Sequence, residues 1–193
     1  MRSSTLRPLL LPAAAGLGLS LLSALPAQAH GIADAGLAHG FSHPITGLDH
    51  LLLLVGVGGV AAYIGSSVLL FALVGAVAGA VMGSLGGTLP GAELLAALAV
   101  SAMGAVILAS RRSGQGPSLG LIGTLVAMAI AIHALLHGQE ASGTASWWLG
   151  AALASTLVVG LSFGVLRQAH ARWTVLVAAL LTGAGLVLAV VPA

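Results

Sequence analysis

Six apolar runs follow one another along this chain with almost nothing between them, near residues 44 to 64, 67 to 86, 92 to 109, 119 to 138, 146 to 166 and 173 to 191. As a helix rising ~1.5 Å per residue, each is long enough to cross a ~30 Å hydrocarbon core. The connectors, YIGSS, GGTLPGA, SRRSGQGPS, HGQEASGT and RQAHAR, leave no room for a soluble domain. With 59% hydrophobic and only 5% charged residues, the expectation is an all-α polytopic membrane protein of about six transmembrane helices. The small excess of positive charge rests on six arginines among very few charges. It therefore reads as membrane topology, with no nucleic acid as partner.

The first 29 residues hold Arg2 and Arg7, the apolar stretch LLLPAAAGLGLSLLSAL, and then Ala27-Gln28-Ala29. That order is the order of a secretory signal peptide with an A-x-A cleavage site, so residues 1–29 are expected to be removed and 30–193 to form a single transmembrane domain. Residue 30 then begins outside the cytoplasm. Alternation of six spans puts Arg111, Arg112, Arg167 and Arg172 on the cytoplasmic side, in agreement with the positive-inside rule, and both mature termini outside. The same alternation collects every acid and six of the seven histidines on the outer side, leaving His170 inside.

Gly75, Gly79, Gly83 and Gly87 recur every four residues, a small-residue face for close helix packing. No repeat relates the two three-helix halves. Cysteine is absent, which excludes thiolate ligands, cysteine nucleophiles and disulfides.

The polar residues carry the chemistry. In HPITGLDH, residues 43 to 50, Pro44 suits the first turn of a helix, with His43 at or near its cap. On one continuous helix His43 and His50 share a face, and Asp49 is offset from His50 by ~100°. In IHALLHGQE, His133, His137 and Glu140 fall at i, i+4 and i+7, a single stripe. Glu93, at the outer start of the third span, either adds a carboxylate or favours the positive end of its helix. Ionisable groups inside a span are costly, by ~2.5 to 3.5 kcal/mol for an acid, and so mark pathways and sites. Imidazole with carboxylate suits nickel, cobalt or zinc; the scattered Met82, Met103 and Met128 do not suggest a copper(I) site. Cleavage after Ala29 would free the α-amine of His30 to chelate together with its own imidazole, with Asp34 and His39 completing an outer capture site.

These features together resemble the HupE/UreJ family of membrane proteins: a leader followed by His30-Gly31, HPITGLDH at 43 to 50, HALLHGQE at 133 to 140, and six short-looped spans. The resemblance covers essentially the whole mature chain. It implies a permease for nickel, or cobalt, in the bacterial cytoplasmic membrane, with an indirect link to nickel hydrogenase or urease maturation. By motif it carries over His43, Asp49, His50, His137 and Glu140 as residues of the metal pathway. The metal ion is then cargo, no cofactor is implied, and the lipid bilayer is the other partner. Relatives often have methionine soon after the first motif, where this chain reads LLLLVGVGG.

The expectation is uptake of a divalent ion, captured outside by the histidines and carboxylates and drawn inward by the membrane potential. Two charges moving inward gain ~4.6 kcal/mol per 100 mV. No GxxxxGK[ST] motif is present to couple transport to ATP. The competing readings are an intramembrane zinc-dependent hydrolase, a haem or quinone protein with histidine ligands, and a metal-sensing accessory subunit. No positioned serine nucleophile or obvious oxyanion donor accompanies the histidines, so an enzyme is not the expectation.

Overall fold

The structure is a computed structural model that describes residues 36–112, 118–140 and 145–191. Those residues form seven helices and no strand: α1 (Gly36–Thr46), α2 (Leu48–Ile64), α3 (Val68–Ser84), α4 (Ala92–Arg112), α5 (Leu119–Glu140), α6 (Ala145–Gln168) and α7 (Ala171–Val190). The expected signal peptide, with His30 and Asp34 beyond it, lies outside the described residues.

Helix α2 occupies the centre. Beyond its first turn its sequence is apolar on all sides, which suits a helix surrounded by others, and it buries Leu53, Leu54, Val57, Val60, Ala61 and three glycines. α4 and α6 pack along it, α7 packs on α4, α3 on α5, and α1 on α6. Around α2 the core is dry: Leu53, Val57, Val60, Val100, Met103, Ile107 and Val126 are all buried to 1% exposure or less. Leu70, Leu73, Val74 and Val77 of α3, by contrast, face outward. Outward-facing apolar rows are what a lipid solvent permits.

The small-residue face performs the packing expected of it. A Cβ at Gly75, Gly79 or Gly83 would collide with backbone of α5 at Ala127, Ala131 or Leu135, so only glycine lets α3 and α5 approach this closely. Gly87 does not belong to that face. It follows the end of α3 in a Schellman turn, in which the Gly87 N–H donates to the Met82 carbonyl (2.8 Å) and the Gly86 N–H to that of Gly83 (2.9 Å), with Gly86 at φ +80°.

The first span departs from expectation. Pro44 lies inside the last turn of α1, not in the first turn of a spanning helix, and the chain breaks at Gly47 before α2 begins at Leu48. The two helices meet at a bend of 74°. Proline accounts for part of this, since it has no N–H for the helix ladder; Gly47 supplies the rest, standing in extended backbone at φ −74°, ψ 116°. Four helices, α4 to α7, are long and apolar enough to cross a membrane, and the bent α1–α2 pair makes a fifth candidate. α3 is apolar but has only 17 residues, ~26 Å of helix, so the six expected spans are found as five candidates and one shorter apolar helix.

Side-chain contacts fix which helix ends lie together. Tyr63 at the end of α2 shares a hydroxyl hydrogen bond with Thr174 at the start of α7, and the Arg111 guanidinium at the end of α4 sits 5.7 Å from the Tyr63 ring. The opposite ends of α2, α5 and α6 bring His50, His137 and Trp147 together. The arginine-bearing end and the histidine-bearing end are therefore opposite ends of the bundle.

Candidate metal centre

The break at Gly47 builds the site. On a continuous helix His43 and His50 would be two turns apart, ~10 Å along the axis. Folding α1 back at 74° brings their ring centroids to 4.9 Å. The glycine is also required by space, because a Cβ at Gly47 would lie 2.5 Å from His50 Nδ1.

His137 arrives from the last turns of α5, with its ring centroid 4.6 Å from His43 and 4.5 Å from His50. One ring nitrogen from each of His43, His50 and His137 lies within 4.8 Å of the others. Nε2 of His50 meets Nε2 of His137. Two imidazole lone pairs face each other stably only with a proton or a cation between them. Nε2 of His43, a residue only 5% exposed, has no hydrogen-bond partner among the described residues. Leaving such an atom unsatisfied costs ~1–3 kcal/mol, a cost that a metal–nitrogen bond removes.

Asp49 supports the set. Its Oδ1 accepts a hydrogen bond from His50 Nδ1 at 2.7 Å. With the proton on Nδ1, the Nε2 lone pair of His50 is directed at the cluster, the usual carboxylate–histidine arrangement behind a metal ligand. The other carboxylate oxygen, Oδ2, lies 3.7 Å from His133 Nε2. His133 is buried one turn before His137 on α5, its ring centroid 5.4 Å from that of His50.

The remaining predicted residues are more dispersed. His39 is half-buried one turn before His43, at a centroid distance of 5.9 Å. Glu93 is exposed in the first turn of α4 and does not belong to the three-histidine group. Glu140 is the last residue of α5, and its side chain lies outside the described residues. His170 is exposed before α7, at the arginine end.

Trp147 was not singled out by the sequence. It is 4% exposed and closes one side of the cluster, with ring centroids 5.4 Å from His43 and 5.9 Å from His137. Its seat depends on Gly40 of α1, where a Cβ would overlap the Trp147 carbonyl. A tryptophan at the start of an apolar run ordinarily reads as an interfacial anchor, and no spacing in the sequence links this one to the histidines.

Three converging imidazoles, one oriented by a carboxylate, form a nitrogen-rich set for a borderline divalent cation such as Ni²⁺, Co²⁺ or Zn²⁺. Apolar helices with this cluster at one end define a multi-pass membrane protein with a candidate metal centre. The chain belongs to the HupE/UreJ protein family, whose family model matches residues 17–191, and that family is associated with metal transport. Comparison with curated proteins and with solved structures finds no match.

Proposed function

We propose that the chain carries Ni²⁺, with Co²⁺ as the next-preferred cargo, across the bacterial cytoplasmic membrane. Residues 30–193 act as one permease domain after removal of the leader, with both mature termini outside. The observation that supports this reading best is the convergence of His43, His50 and His137, with the Nε2 of buried His43 left without a hydrogen-bond partner among the described residues. The separation of this cluster from the arginine end supports its orientation, because arginines favour the cytoplasmic side. Nickel delivered this way would serve hydrogenase or urease maturation.

In this mechanism the imidazoles replace water around the ion while Asp49 holds His50 in the ligating tautomer. Inward movement is driven by the membrane potential, worth ~4.6 kcal/mol per 100 mV for a dication. Below the cluster the ion meets the dry side chains of Leu53, Val57 and Met103, so the conformation seen here is closed toward the arginine end. Transport requires α2 and its neighbours to part there.

The test is uptake of radioactive Ni²⁺ into proteoliposomes at an inside-negative potential. The expected result is uptake by the wild type that Co²⁺ competes and that His43→Ala/His50→Ala/His137→Ala abolishes. Tight binding without uptake at any potential would overturn the permease reading.

A further inference from the structure

One buried group has no part in the three-imidazole set. His133 is 6% exposed and, among the described residues, neither ring nitrogen has a hydrogen-bond partner. Two orphaned imidazole nitrogens in one apolar helix interior are costly unless they meet a ligand. Asp49 Oδ2 faces it at 3.7 Å from Nε2, too far for a hydrogen bond. That gap fits a cation: bonds of ~2.1 Å to each atom would span it at an angle of about 120°.

The two carboxylate oxygens of Asp49 are divided between two tasks. Oδ1 is held by His50 Nδ1, while Oδ2 faces His133. The Asp49 side chain is 41% exposed, so a cation held here would keep some of its water, whereas the cluster around His43 is enclosed. His50 touches both places, through Nδ1 toward Asp49 and through Nε2 toward His137.

We infer that Asp49 and His133 form a second divalent-cation position, adjoining the His43/His50/His137 position and linked to it through His50. An ion passing between them exchanges carboxylate and water ligands for imidazoles without leaving the protein. The inference rests on the reading of the three histidines as a metal site, and the test separates the two.

Co²⁺ is titrated into the purified full-length protein by equilibrium dialysis. The wild type is expected to saturate with two ions at this end of the bundle. His43→Gln/His137→Gln is expected to retain one Co²⁺ at least tenfold more weakly bound than the tighter wild-type ion, and adding His133→Gln is expected to abolish it. His133→Gln alone should keep the tighter ion within about threefold of wild-type affinity. A double variant that binds no Co²⁺, or residual binding indifferent to His133→Gln, would overturn the second position while leaving the first intact. A wild type that binds no Co²⁺ would overturn the first as well. If the double variant does not fold, saturation of His133→Gln at one ion fewer than wild type supports the inference, and equal saturation refutes it.

Discussion

The first turn of α2 and the three turns that follow it belong to one helix and obey opposite rules. At Asp49 and His50 polar atoms converge from α1, α2 and α5. From Leu53 to Val60 the same helix presents only apolar side chains and glycines to a dry core. The contrast shows how a chain with very few charges makes a site: it concentrates them at one end and seals the path beyond with ordinary packing. The first region determines what binds, and the second determines whether anything passes.

Changes that strike only the polar region should affect metal binding first. Removing two ligands at once, as in His43→Ala/His137→Ala, is expected to reduce Ni²⁺ affinity at the three-imidazole position by more than a hundredfold in a binding titration. Asp49→Asn keeps the shape but weakens the hold on His50 Nδ1; loss of such an outer partner costs ~10- to 100-fold in metal affinity. Lowering the pH acts in the same direction, since imidazole must be neutral to ligate. A proton on a ligating imidazole nitrogen competes with the metal for the same lone pair. Binding should be strong near pH 7 and fall as the pH drops, and affinity unchanged down to pH 5 would contradict imidazole ligation.

Changes in the packed region should affect stability and leave binding alone. A Cβ at Gly104 would lie 2.7 Å from the Thr182 backbone nitrogen, against α7, so Gly104→Val is expected to cost ~1–3 kcal/mol by overpacking. Thermal unfolding should fall while Ni²⁺ affinity of the folded fraction stays within a few-fold. Tyr63→Phe removes the hydroxyl pair with Thr174, a loss of ~0.6 kcal/mol for a typical hydrogen bond between membrane helices. A large loss of metal affinity in either variant would erase the division between the two regions.

Much of this division was legible in the sequence. The apolar runs announced the helices, the short connectors their close neighbourhood, and the i, i+4 stripe of His133 and His137 their common face on α5. The placement of His43 was not legible in the same way. Its spacing of seven from His50 suggested one face of one helix, whereas the residues meet because the chain folds back at Gly47. A glycine after a proline permits a break without requiring it; the requirement comes from α6, whose Gly150 accepts the backbone of α1 where any Cβ would strike the Leu37 carbonyl. Trp147 was hidden for a similar reason, since its place beside His43 is set by the α1–α6 contact and by no local pattern. The end of the small-residue face was likewise hidden, because periodicity carries Gly87 forward while the turn at Gly86 stops the helix.

X-ray absorption at the nickel edge, on full-length protein loaded with one equivalent of Ni²⁺, reads the ligands of the bound ion itself. The expected result is the multiple-scattering pattern of about three imidazoles, lost in His43→Ala/His50→Ala/His137→Ala. An all-oxygen shell in the wild type, or a pattern of about three imidazoles that survives in the triple variant, would contradict imidazole ligation at the three-histidine cluster.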